Sequence, residues 1–213
     1  MAYLRNLPKT LSVDNRTFDV KIKKYSKIKS DNIEASICKI LCYLDKDPLR
    51  EGLVRTPIRV AKSLEFLTSG HFQSVNELTA DALFEAPSND LIIQKNIEFY
   101  SLCEHHMLPF FGKIHVAYVP NKKIIGLSKI VRIINIFARR LQVQERLTLE
   151  ITQALEDVIK PYGVAVQTQA SHFCMMMRGV EKQGSTTITQ SFLGLFKSDA
   201  VLRSEFRELL RNG

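Results

Sequence analysis

Lys113-Ile114-His115-Val116-Ala117-Tyr118-Val119 is the stretch on which the fold of this chain turns. Ile114, Val116 and Tyr118 alternate with Lys113, His115 and Ala117, the period of two expected of a strand with one face on a core. Upstream, residues 91–102 read as a second strand, joined to the first by the loop that holds Cys103 to Gly112. Downstream come helical stretches at about 128–141 and 144–160, the first with Ile130, Ile133, Ile134 and Phe137 on one side. Lys160-Pro161-Tyr162-Gly163 stops the second. Strands over about 164–178 and 185–194 and a helix over about 199–211 follow. The order ββααββ predicts an α+β fold, two hairpins making one four-stranded antiparallel sheet with two helices on one face. The outer strands of such a sheet have open edges, so a homo-oligomer that closes the sheets into a barrel is expected.

Toward the N-terminus the signals weaken. Residues 1–30 mix Lys, Asn, Ser and Asp without periodicity and read as an arm. Asp31 with Glu34 predicts a capping box for a helix carrying Ile33, Ile37, Ile40, Leu41 and Leu44. Cys38 and Cys42 lie four apart on it and read as buried thiols, because the helix supplies no further metal ligands. Thr56 as N-cap and Pro57 at the first helical position open a second helix to about Gly70. Arg59 and Lys62 share a face there, by default a solvated basic edge. We therefore divide the chain into an arm and helical region, 1–90, and a catalytic domain, 91–213.

The 213 residues, 45% hydrophobic, suffice for one main buried core. Four cysteines spread over positions 38 to 174 do not form a secreted disulfide framework, and the chain opens with no leader pattern, so a reducing cytoplasmic location is expected. No apolar run approaches the roughly 18 residues of a membrane span, and no membrane partner is expected. A net charge of +8 attracts polyanions. The basic residues are dispersed, without a zinc-finger or aromatic-basic RNA-binding signature, so a nucleotide is expected rather than nucleic acid.

The chemistry concentrates in two segments. Ser101-Leu102-Cys103-Glu104-His105-His106 contains Cys-x-x-His, a metal-ligand spacing, in a turn after a strand. Seventy residues on, Ser171-His172-Phe173-Cys174 offers a second pair, and in a continuous strand His172 and Cys174 would project from one face. Cys103, His106 and Cys174 would hold a catalytic zinc with its fourth position open, leaving His105 and His172 for proton transfer. A structural zinc with His172 as fourth ligand, or a pair of buried thiols, is the alternative. His71 and His115 lack such company and read as surface or strand-packing residues. Gly126-Leu127-Ser128-Lys129-Ile130-Val131-Arg132 enters a helix with Ser128 as expected N-cap, gathering Lys129 and Arg132 at an anion-attracting N-terminus. Gln142-Val143-Gln144-Glu145-Arg146 begins the next helix, where Glu145 could be a simple capping charge.

With these residues the sequence closely resembles GTP cyclohydrolase I over about residues 30–212. The motifs are Thr56-Pro57-Ile58-Arg59-Val60-Ala61-Lys62, Cys103-Glu104-His105-His106, Gly126-Leu127-Ser128-Lys129, Gln142-Val143-Gln144-Glu145-Arg146-Leu147 and His172-Phe173-Cys174-Met175-Met176-Met177-Arg178-Gly179. The resemblance implies Zn2+ on Cys103, His106 and Cys174. It also implies attack of water at carbon 8 of guanine, loss of formate, and formation of 7,8-dihydroneopterin triphosphate on the way to folate or tetrahydrobiopterin. His172 is matched to the proton donor and His105 to its assistant. Glu145 is matched to the carboxylate that reads guanine, with Gln144 beside it. Arg59, Lys62, Ser128, Lys129, Arg132 and Arg178 are matched to the triphosphate. The family's tunnelling fold further implies a decamer of two pentamers, with pockets where subunits meet. A nitrile reductase of the same fold, or a zinc module that binds nucleic acid without turnover, are the rival readings. The paired metal sets argue against the first.

Overall fold

The structure is a computed structural model that describes residues 32–211. The expected arm over 1–30 and the expected cap on Asp31 lie outside those residues. The chain divides into two compact units, one ending at Glu65 and one beginning at Phe66.

In the first unit, helix α1 (Ile33–Leu44) is capped by Asn32, whose Oδ1 accepts from the Ala35 N–H at 2.9 Å. Cys38 and Cys42 are buried, as expected, and burial pushes the Cys38 thiol up, with the neighbouring Cys42 and Glu34 adding to it. Helix α2 (Thr56–Leu67) ends three residues earlier than the expected Gly70, its last two residues falling past the unit boundary. Its Thr56 hydroxyl donates to the Gly52 carbonyl at 3.4 Å instead of capping. Arg59 and Lys62 are exposed on it.

In the second unit, α3 (Val75–Thr79) leads to a small ribbon in which β1 (Leu83–Glu85) pairs with a later strand. The main hairpin is β2 (Ile92–Cys103) and β3 (Pro109–Val119), followed by β4 (Lys123–Ile125), the partner of β1. Helix α4 (Leu127–Ala138), the short β5 (Leu141–Gln142) and α5 (Gln144–Ile159) precede β6 (Gly163–His172). A turn of helix α6 (Phe173–Met176), β7 (Thr187–Gly194), α7 (Leu195–Ser198) and α8 (Ala200–Arg211) complete the unit. The main sheet has five strands in the order β5-β2-β3-β6-β7, antiparallel except where β5 runs parallel to the end of β2. The expected four-stranded antiparallel sheet is thus present, with a two-residue strand added at one edge.

The alternation first read in β3 sorts the core. Phe110, Ile114, Val116 and Tyr118 join Val164, Val166 and Ala170 of β6 beneath Ile130, Ile133 and Ile134 of α4 and Leu147, Ile151 and Leu155 of α5. Ala117 and Ala165 point the other way, against Phe196 and Phe206. Each Phe or Ile buried in this way stabilises by roughly 1.5–3 kcal/mol. In β2 the phase changes: Gln94 faces Val116, yet Ile97 faces Ile114, so one extra residue is inserted. Asn96 takes the left-handed conformation there, φ 58°, which asparagine tolerates better than most residues. After the bulge the odd residues Ile97, Phe99 and Cys103 face the helices.

Two expected boundaries are corrected. Helix α4 ends at Ala138, not 141, because Arg140 folds back: its Nε donates to the Ile136 carbonyl at 2.9 Å and its Nη2 to Gly70 at 3.1 Å. The strand expected over 164–178 ends at His172, where Phe173 opens a helical turn closed by the Met177 N–H on the Phe173 carbonyl at 3.0 Å.

Candidate metal centre and active site

Cys103 ends β2 and is buried, and the turn after it is tied down by its own carbonyl, which accepts from His106 N at 3.3 Å and Met107 N at 2.7 Å. That turn sets both imidazoles around the thiol: Nδ1 of His105 and Nδ1 of His106 each lie 3.9 Å from Cys103 Sγ. Cys174 arrives from α6, not from a strand, so the shared strand face expected for His172 and Cys174 does not exist. The helical turn nevertheless delivers the thiol. One ligand atom each from Cys103, His106 and Cys174 lies within 4.8 Å of the others. Around a tetrahedral ion with about 2.3 Å Zn–S and 2.0–2.1 Å Zn–N bonds, neighbouring ligand atoms sit roughly 3.5–3.8 Å apart, close to the 3.9 Å between Cys103 Sγ and His106 Nδ1. Two sulfurs and an imidazole suit a borderline-soft divalent ion such as zinc. Burial pushes the Cys174 thiol up, the adjacent Cys103 adds to this, and Arg178 opposes it.

His172, at the end of β6, pairs in register with Phe110, and their rings stack at 4.8 Å between centroids with planes 1° apart. Burial holds its imidazole below the ordinary histidine range, while the charge of Glu145 acts in the opposite direction. Its Nε2 meets Gln144 Oε1 at 2.8 Å. Gln144 is buried, and its amide nitrogen donates to Thr168 O at 3.1 Å, Thr187 O at 2.9 Å and Thr189 Oγ1 at 3.2 Å. Glu145, next along, is exposed in the first turn of α5, which begins at the Val143 cap without a side-chain cap.

At the start of α4 the N-cap is Gly126, not Ser128, because Gly126 carries the extended backbone and Ser128 is already helical. Ser128 and Arg132 are exposed, whereas Lys129 Nζ is held by the Leu78 carbonyl at 2.8 Å. Arg178 is exposed just beyond α6. His71 is exposed and His115 is a buried strand residue, as expected.

Sequence reasoning gave no role to the supports. Arg146 Nη2 donates to Glu104 Oε2, and its Nε donates to Gln142 Oε1 at 2.9 Å. Arg146 is the chief reason the Glu104 carboxyl lies below the usual carboxylate range. Gln142 in turn donates to Glu150 Oε2 at 2.7 Å, and its carbonyl accepts from Glu104 N at 3.0 Å. The ligand loop is thereby fastened to the first turns of α5. Thr148 and Thr152, four apart on the buried side of α5, were a visible signal of a polar seam in the core.

The family described as GTP cyclohydrolase I matches residues 33–211. A protein called GTP cyclohydrolase 1 from Leptospira biflexa serovar Patoc is 56% identical over 181 residues, 85% of this chain and 99% of that protein. Its namesake from Campylobacter concisus is 52% identical over 182 residues, 85% of this chain and 96% of the other. One from Dictyostelium discoideum is 47% identical over 182 residues, covering 85% and 78%. Among solved structures, the apo crystal structure of the archaeosine synthase QueF-Like overlays with a TM-score of 0.41 at 16% identity, covering 52% of this chain and 97% of that one.

Proposed function

We propose that this chain, which belongs to the GTP cyclohydrolase I family and is an enzyme of that kind, carries out the reaction at the Cys103–His106–Cys174 centre with zinc as its metal. GTP is the substrate, and 7,8-dihydroneopterin triphosphate and formate are the products, the entry step to folate or another pterin. The observation that carries the reading is the convergence of two thiols and one imidazole from segments seventy residues apart; His172, two residues before Cys174, feels the charge of Glu145.

What zinc supplies when bound is Lewis-acid activation of water near neutral pH. The rest falls to the protein. Glu145, exposed at the N-terminus of α5, accepts hydrogen bonds from the guanine ring N–H and amino group, which adenine cannot provide in that pattern. His172 delivers a proton to the purine nitrogen as the ring opens, and His105 assists beside the metal and sugar. Ser128, Lys129, Arg132 and Arg178 hold the triphosphate, guanidinium forks gripping its oxygens. Arg59 and Lys62 are given the same task by family resemblance alone, and Gln144 a place in guanine binding likewise.

We further propose the tunnelling fold for residues 91–213, a decamer of two pentamers and a cytoplasmic location. Supporting the assembly, β7 pairs only with β6, and β2 meets β5 only at Leu102 and Cys103. The sheet thus ends in long open edges among the described residues, flanked by exposed Tyr100 and Ile188. Among the described residues no helix is long and apolar enough to cross a membrane.

The test is incubation of metal-quantified protein with GTP while formate and the fluorescent oxidised pterin are followed. Cys174→Ser is expected to lose zinc and turnover together, and His172→Ala to keep zinc and lose turnover. Equal zinc loss in both would make His172 a ligand and the site structural.

A further inference from the structure

Gln144 lies beside the exposed Glu145 in its motif, yet its own side chain turns into the protein. The amide nitrogen is used up by three acceptors, Thr168 O, Thr187 O and Thr189 Oγ1. Flipping the amide would set its oxygen against two carbonyl oxygens, so the orientation is fixed by chemistry. Oε1 is then compelled to face His172 Nε2 at 2.8 Å, and an amide oxygen only accepts. The imidazole must present Nε2–H to it. Among the described residues Nδ1 of His172 has no hydrogen-bond partner. A half-turn of the ring would keep its stack on Phe110 but set a carbon against Gln144 Oε1 and lose the 2.8 Å bond, so the present orientation is the one that satisfies the amide oxygen.

We propose that Gln144 is a positioning residue: it locks His172 as the Nε2–H tautomer and so leaves Nδ1 as the ring atom that takes up a proton from solvent and passes it to the purine nitrogen of bound substrate. This rests on the role given to His172 above. The anchor reaches further than one bond, since Thr148 Oγ1 sits 2.9 Å from Thr168 Oγ1 and 2.6 Å from Thr189 Oγ1, joining α5, β6 and β7 behind the amide. A threonine seam of this kind holds the glutamine against both strands. The place of Gln144 in guanine binding is therefore taken through His172, since its own amide is spent inside the protein.

The experiment is magic-angle-spinning 15N spectroscopy of the full-length, zinc-loaded protein labelled at histidine, at mildly alkaline pH. The five histidines are few enough for the His172 signals to be assigned by their loss in His172→Gln. The wild type is expected to show protonated Nε2 and bare Nδ1 at His172. A protonated Nδ1 there overturns the proposal without any variant having to fold. Gln144→Leu should mix the two tautomers and lower kcat about 10–100-fold, with KM for GTP changed less than about twofold and zinc content unchanged. A rise in KM at unchanged kcat would make Gln144 a direct substrate contact and overturn the proposal. If His172→Gln turns over GTP normally, the role of His172 fails instead, while the tautomer assignment is judged by the spectrum alone.

Discussion

Arg146 donates to the Glu104 carboxylate across 42 residues of sequence, joining the first turns of α5 to the loop that carries two of the three proposed metal ligands. Between half-exposed groups such a pair adds little to overall stability. Its effect is local, on where Cys103 and His106 are held. Arg146→Ala is expected to leave the unfolding midpoint nearly unchanged and to weaken zinc retention up to about tenfold, read by competition with a chromophoric chelator. Zinc affinity equal to wild type would show that the loop holds its shape without the tether.

His115 gives the fold an acid-sensitive point away from the metal. Its Nδ1 accepts from the Asn96 N–H at 3.3 Å, a bond that needs an unprotonated nitrogen. Burial, then Lys113 and Lys95, hold the imidazole below its ordinary value. Because the folded-state value is depressed, the stabilisation is present above the unfolded value of about 6.5 and is lost as pH falls through the folded one. Urea midpoints should drop between about pH 7 and pH 5, and His115→Gln should flatten that limb. An unchanged slope in the variant would assign the acid loss to other groups.

Gly112 sits in the middle strand, opposite Ala170 of β6. A Cβ there would lie 1.9 Å from the Gln169 carbonyl oxygen and 2.8 Å from Ala170 Cα, both backbone atoms that cannot step aside. Gly112→Ala should cost about 3 kcal/mol or more in chemical denaturation. A loss below about 1 kcal/mol would mean that the two strands part easily.

Glu145 is expected to act on substrate and hardly at all on the fold. Glu145→Gln keeps its size and exposed position but offers a donor where guanine also donates. We expect kcat/KM for GTP to fall about 100-fold or more, with zinc content and unfolding midpoint unchanged. Near-normal kinetics would remove Glu145 from base recognition.

Much of this was legible in sequence because single-strand and single-helix patterns are local. Ile114, Val116 and Tyr118 announced their shared face, and Ile130, Ile133 and Ile134 announced theirs. Cys-x-x-His marked the ligand turn because that spacing is set within one turn of chain. Cys174 was placed beside its partners for the wrong local reason: the strand rule was carried two residues too far, into Phe173–Met176, where the backbone closes a helical turn. The bulge at Asn96 and the short β5 escaped notice because each is defined by what lies opposite, and a strand read alone has no opposite. The hydrogen bond of Gln144 to His172, 28 residues apart, was hidden for the same reason. The resemblance matched His172 to a proton donor and set Gln144 beside the guanine-reading carboxylate, and neither match says that the two side chains meet.

The extra residue in β2 also sets how this lineage can vary in length. Removing the extra residue near Asn96 would let the hairpin re-form as a regular ladder, Gln94 still opposite Val116 and Ile97 still opposite Ile114, so that Cys103 keeps its face. Removing one residue farther on, between 98 and 102, would instead turn the rest of the strand over like a mis-threaded ribbon and bring the Cys103 thiol out on the wrong side of the sheet. Single-residue deletions should accordingly be tolerated at the bulge and lethal to activity between 98 and 102.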